Sequence, residues 1–220
     1  MTVSVTSIAR LLAAGCALVA TFGLAAGIGA AQESGPAAAE QARPIELKQG
    51  DLAPVFAAKT DQGKLWKSDE HVGKKYLVVY FYPADMTGGC TAQACSYRDA
   101  LAKAPREDVE IVGVSGDSVD NHKHFKQVYE LNFTLLADPD GKVAKAFGVK
   151  AGEGGELTRE IGGEEVLFAR GVTANRWTFV IDLKGRIAYI DRRVDPRRDT
   201  ENVLKVIDEL ASGRREVAAE

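Results

Sequence analysis

KYLVVYFYPADMTGGCTAQACSYRD, residues 75–99, is the stretch from which the fold is read. Leu77 to Tyr82 is a short run of apolar, β-favouring residues, the pattern of a strand buried on both faces of a sheet. Pro83, with no amide hydrogen to give a neighbouring strand, ends it. Ala84 to Gly89 contains two glycines and Thr87 and reads as a loop. From Cys90 onward the residues suit a helix, with Ala92, Ala94, Tyr97, Arg98, Ala100, Leu101 and Ala102 carrying it to about Lys103, before Pro105. Cys90 therefore sits where a central strand hands over to the first turn of a helix.

The first N–H groups of a helix lack internal partners, and the helix dipole adds partial positive charge there, so a thiolate is stabilised at such a position. A free cysteine titrates near about 8.5, and helix N-termini lower this to roughly 3.5–7.5, which makes Cys90 the best nucleophile in the chain. A cap cysteine that merely packs is the alternative. Cys95 lies five residues on. In an ideal helix that spacing gives a rise of about 7.5 Å and a rotation of about 140°, hence a Cα separation of roughly 8.7 Å. A disulfide tolerates no more than roughly 7 Å, so a bond between the two requires the first turns to unwind. This suggests a switching pair rather than a permanent staple. The spacing is also not the C-x-x-C of thioredoxin-like redox sites.

The segment resembles the active site of a peroxiredoxin: Pro83, Thr87 and Cys90 stand at the spacing of that family's signature, and Cys95 is similar to the second cysteine of the Q-type subgroup, the bacterioferritin comigratory proteins. Three further blocks resemble the family: Gly113 to Phe125, Leu135 to Val149, and Arg176 to Ile187. The resemblance spans about Leu47 to Leu210 and departs at Gly88, where the family usually has proline. It implies a thioredoxin-like α/β fold, a central mixed sheet flanked by helices. It also implies a thiol peroxidase acting on hydrogen peroxide or an alkyl hydroperoxide, with no cofactor. On that resemblance Cys90 is expected to become a sulfenic acid, Cys95 to condense with it to an intramolecular disulfide, and a thioredoxin-like dithiol to restore both thiols. By the same resemblance Arg176 lies beside the thiolate and hydrogen-bonds the peroxide, Thr87 offers its hydroxyl to both, and Gln93 orients Arg176. Pro83, Gly89 and Gln93 are assigned to the substrate-binding loop. For Thr87 the alternative is a turn cap, and for Arg176 an ordinary charge at a strand start.

Outward from this core, residues 1–31 carry Arg10 as their single charge, and Leu11 to Ala31 is an uncharged run rich in Ala, Leu and Gly. It resembles a secretory signal peptide, with Gly29 to Ala31 as small residues for cleavage. Its length also suits an uncleaved anchor. An exported, periplasmic protein is expected, touching a membrane only if this segment stays attached. Cys16 falls within the apolar core of the segment and has no role in the mature chain. In an oxidising compartment a plain structural Cys90–Cys95 bridge is a further alternative, although so short a loop stabilises little. Residues 32–43, rich in Ala, Gly, Glu and Gln, read as a flexible linker. Residues 44–213 form one domain of about 170 residues, and 214–220 a charged tail. The formal net charge of −3, with acids and bases interspersed, offers no nucleic-acid surface.

Within the domain, Asp51 to Phe56 is an extended entry and Lys59 to Trp66 a hairpin. Val109 to Val114 is a second buried strand. Ser118 to Leu131 is a helix with Val119, Phe125, Val128 and Tyr129 on one face, and Val143 to Phe147 a short helix. Residues 150–175, crowded with glycine and glutamate, read as a surface insertion with one strand at Val166 to Ala169. Trp177 to Ile181 and Arg186 to Ile190 pair through DLKG, and Thr200 to Leu210 is a closing amphipathic helix. His71, His122 and His124 read as solvated: His122 and His124, two apart at a helix start, do not share a face, so no metal site is expected. Two readings from other classes stay open: an exported thioredoxin-fold disulfide or metal handler, and a non-catalytic binding domain with a structural bridge.

Overall fold

The structure is a computed structural model that describes residues 45–217. The N-terminal segment, the linker and Cys16 lie outside the described residues.

Strand β3, Tyr76–Phe81, is the centre, with all six residues buried. It pairs in parallel with β4, Val109–Ser115, and antiparallel with β8, Trp177–Ile181. The sheet continues from β4 to β5, Thr134–Ala137, then to β1, Ala57–Thr60, and β2, Leu65–Lys67; on the other side β8 pairs with β9, Ile187–Asp191. The seven-stranded order is β2-β1-β5-β4-β3-β8-β9, a mixed sheet as the family resemblance implies.

Alternation along β3 divides the interior. Tyr76, Val78 and Tyr80 face one way, onto α1, Gly88–Lys103, α2, Val119–Val128, and α4, Asp199–Ala211; this core holds Cys90, Tyr97, Phe125, Val203 and Ile207. Leu77, Val79 and Phe81 face the other, onto Phe56, Phe147, Phe179 and α3, Lys142–Ala146. No charged side chain on β3 competes with burial on either side, which is why a run of apolar and aromatic residues marks the central strand.

Three local expectations change. A strand over Thr134–Ala137 is present where the sequence reading assigned none. Helix α2 stops at Val128, and Glu130 takes a left-handed φ of 51°. Residues 150–175, expected as a surface insertion with one strand at Val166 to Ala169, form a two-stranded hairpin, β6, Ala151–Ile161, against β7, Glu164–Ala174, which includes that strand. Its two-residue turn is Gly162-Gly163, both at positive φ (63° and 89°), the backbone that two-residue hairpins demand and glycine supplies without strain. Phe168 on β7 is fully buried in the α1/α2 side of the core, and the Arg159 Nε on β6 donates to the Met86 carbonyl at 3.2 Å. The hairpin is thus folded onto the loop that precedes Cys90.

Candidate active site

Cys90 is the third residue of α1 and 1 % exposed. The residue at the cap, Thr87, is extended (φ −91°, ψ 146°), but its hydroxyl does not close the helix end; it donates instead to the Ala84 carbonyl at 3.0 Å. Thr91 N–H reaches the Thr87 carbonyl, so the turn is formed while the first N–H groups keep their outward direction. Gly88 and Gly89 are exposed at this end, and Pro83 is half-buried. Glycine at 89 leaves the approach open: a Cβ there would stand 3.5 Å from Arg176 Nη2 and 3.8 Å from Pro196 Cγ.

Arg176 comes to the thiol by topology. Strands β3 and β8 run antiparallel with Phe81 opposite Trp177, so the loop leaving β3 and the residue entering β8 meet at one edge of the sheet. There Arg176 Nη2 donates to Cys90 Sγ at 3.1 Å and Nη1 donates to Gln93 Oε1 at 2.5 Å. Gln93, one turn beyond Cys90 on α1, is fully buried. Its Nε2 donates to Asp199 Oδ2 at 2.6 Å. The same oxygen accepts the Tyr97 hydroxyl at 2.7 Å and the Thr178 hydroxyl at 2.9 Å. Burial raises the Asp199 carboxyl above its ordinary value, and the three hydrogen bonds oppose that. A single line of contacts therefore runs Asp199, Gln93, Arg176, Cys90. Asp199, Tyr97 and Thr178 were not singled out from the sequence. An acidic residue opening an amphipathic helix reads as a dipole partner, and nothing local tells that it is turned inward.

The loop before Cys90 is fixed from below. Asp85, fully buried, accepts the Tyr82 hydroxyl at 2.7 Å and contacts His122 Nδ1 at 2.8 Å, and its N–H donates to Asp117 Oδ2 at 2.9 Å. Burial, and then the neighbouring Asp85, raise the Asp117 carboxyl. Met86 is held at φ 60°, a left-handed conformation rare for a residue with a side chain and common where a loop is over-determined. His122 corrects the expectation of solvated histidines: it is fully buried, because it pairs with Asp85 on another element. His71 is half-buried too, stacked on Trp66 at 4.4 Å and paired with Glu110 at 2.8 Å, and His124 lies edge-on to Phe168. Among the described residues no three His, Cys, Asp or Glu side chains gather as a metal site.

Cys90 and Cys95 are both free thiols on the unbroken helix α1. Cys95 is half-buried, and burial pushes its thiol up, with Arg98 opposing. The site thus joins a cationic donor, open helix N–H groups and a buried thiol, a constellation suited to holding a thiolate and to receiving negative charge that develops beside it.

Comparison with known proteins is consistent with that chemistry. Residues 49–190 match the AhpC/TSA family. The chain is 36 % identical over 166 residues to the chloroplastic peroxiredoxin Q of Oryza sativa subsp. japonica, an alignment covering 75 % of this chain and 69 % of that one. It superposes on peroxidoxin BcpB from Mycobacterium tuberculosis with a TM-score of 0.61 at 29 % identity, covering 75 % of this chain and 99 % of that one. It also superposes on the bacterioferritin comigratory protein of Xanthomonas campestris, studied for its alkyl peroxide reduction activity, with a TM-score of 0.58 at 26 % identity, covering 73 % and 99 %. The expectation of an exported, periplasmic protein is overturned by these relatives: the plant protein is chloroplastic. The physical reason is that a run of Ala, Leu and Gly records low charge and apolarity, which do not specify a compartment. No helix among the described residues is long and apolar enough to cross a membrane.

Proposed function

The chain belongs to the AhpC/TSA family, with peroxiredoxin Q and the bacterioferritin comigratory proteins as its relatives, and is a thiol-dependent peroxidase; from that premise we propose that Cys90 is the thiol that attacks and Cys95 the thiol that resolves. The observation that carries the assignment is the 3.1 Å contact of Arg176 Nη2 with Cys90 Sγ at the open end of α1. The Cys90 thiolate attacks the terminal oxygen of a hydroperoxide. The S–O bond forms as the O–O bond breaks, sulfur is oxidised to sulfenic acid, and the departing alkoxide or hydroxide takes a proton and leaves as alcohol or water. Arg176 and the N–H groups of the first turn stabilise the charge on the departing oxygen. Thr87, whose proton is committed to Ala84, offers its lone pairs to the peroxide O–H and so orients it. Pro83 and Gly89 frame the entry.

Cys95 waits as a neutral thiol in the helix, because burial raises its pKa. Five residues of helix hold it too far from Cys90 for a bond, so the first turns of α1 unwind, Cys95 attacks the sulfenic sulfur, and water leaves as the disulfide forms. A thioredoxin-like dithiol then gives up two electrons and two protons by exchange and restores both thiols. Hydrogen peroxide and alkyl hydroperoxides are the substrates, the latter because the Xanthomonas relative is described by that activity. The residues of this machinery all lie within domain 44–213. Neither the metal-handling nor the structural-bridge alternative has an observation in its favour.

Cys95→Ser tests the assignment. After one equivalent of peroxide the variant should accumulate sulfenic acid at Cys90, read by dimedone labelling and mass, and a second equivalent should carry it to sulfinic acid, where the wild type forms an intramolecular disulfide. A wild type that stays unlabelled and forms no disulfide would overturn it.

A further inference from the structure

Asp199 opens α4, where an acidic side chain ordinarily complements the helix dipole or caps free N–H groups. It does neither. It is fully buried, and each of its side-chain hydrogen bonds leaves α4: Gln93 and Tyr97 of α1 and Thr178 of β8 all donate to Oδ2, at 2.6, 2.7 and 2.9 Å. Its other oxygen, Oδ1, is buried with no partner among the described residues. Leaving a buried carboxylate oxygen unpaired costs free energy, and such a group persists where something else constrains it.

The chemistry of Gln93 supplies the constraint. Its side-chain amide has a donor end and an acceptor end, and on α1 it is flanked by two groups that each accept only one of them. A guanidinium has no acceptor, so Arg176 must meet the Gln93 oxygen; Asp199 Oδ2, already receiving two hydroxyl protons, must meet the Gln93 nitrogen. If the amide turned over, its NH2 would face the guanidinium and its oxygen the carboxylate, two repulsive contacts in a buried site.

We propose that Asp199 is a positioning residue of the peroxide site: by holding the Gln93 amide nitrogen it fixes the Gln93 oxygen on Arg176 and keeps the guanidinium on Cys90. The inference rests on the reading of Cys90 as the attacking thiol. Asp199 touches neither the sulfur nor the substrate and acts through two residues.

The test uses the full chain and two readouts: the pH profile of Cys90 alkylation by iodoacetamide, followed on the Cys90 peptide by mass, and the rate constant for hydrogen peroxide. Asp199→Ala and the closer-sized Asp199→Leu should move the alkylation profile to higher pH and slow peroxide reduction about 10-fold, the scale of losing a partner that orients a catalytic group. Asp199→Asn presents an amide oxygen where Oδ2 stands and should recover most of the rate. Val203→Ala, one turn along α4 in the same core, should lower the melting temperature and leave the profile in place. A folded Asp199→Ala or Asp199→Leu protein with the wild-type profile overturns the proposal, as does Asp199→Asn losing as much as Asp199→Ala. If the wild type reduces no peroxide, the peroxidase assignment fails, while the alkylation profile still decides the role of Asp199.

Discussion

Arg176 Nη2 donates to Cys90 Sγ at 3.1 Å although the two residues are 86 apart in sequence. The contact exists because β3 and β8 are antiparallel neighbours whose ends bring the Cys90 loop and the start of β8 together. A planar guanidinium serves two partners at once here, the sulfur through Nη2 and the Gln93 oxygen through Nη1.

Replacement of Arg176 therefore separates charge from shape. Arg176→Met should lower the rate constant for hydrogen peroxide by about 10²-fold, the usual scale of losing one preorganised donor. Arg176→Lys keeps the charge and loses the fork, so it should recover part of that and remain well below the wild type. Stopped-flow peroxide consumption measures both, and a Lys variant at the wild-type rate would show that charge alone suffices.

Gly88 is the first residue of α1, a position that favours proline. Thr87 before it is already extended, as a residue preceding proline must be, and a Cβ at 88 meets nothing within 4 Å among the described residues. Gly88→Pro should therefore stabilise the fold by about 0.5–1 kcal/mol through the unfolded chain. Urea denaturation reads this as a higher midpoint; a lower one would mean that the native loop uses freedom that proline removes.

The buried pair of His122 and Asp85 predicts a pH dependence. Burial alone lowers the His122 pKa, but the Asp85 carboxylate, its hydrogen bond and Asp117 outweigh it, and the net shift is upward. A histidine whose folded pKa is raised contributes its stabilisation in full below the unfolded value near about 6.5 and loses it as pH rises through the folded value. His122→Leu strands Asp85 and should cost about 3 kcal/mol at pH 6. The gap from the wild type should narrow at alkaline pH. Equal gaps in denaturant midpoints at pH 6 and pH 9 would contradict the charged pair.

What was legible in the sequence follows from distance along the chain. β3, the loop and α1 are readable because a continuous apolar run, Pro83, the glycines and helix formers act within a few residues of one another. Arg176 and Gln93 could be placed only by resemblance, since what joins them to Cys90 is strand pairing. Asp199 and His122 were missed because their partners, Gln93 and Asp85, are 106 and 37 residues away. The β6–β7 hairpin did carry a signal: Gly162-Gly163 flanked by Leu157 and Ile161 on one side and Val166 and Phe168 on the other, apolar positions on one face at spacings of two or four. The surrounding glutamates, exposed on a ribbon with one face in water, obscured it.

The most direct test is hydrogen peroxide consumption by the full chain with excess dithiothreitol, wild type against Cys90→Ser. A fast wild-type rate that falls to background in Cys90→Ser, with the fold retained by circular dichroism, is the predicted result. Equal rates in the two proteins would contradict the assignment of Cys90 as the thiol that reduces peroxide.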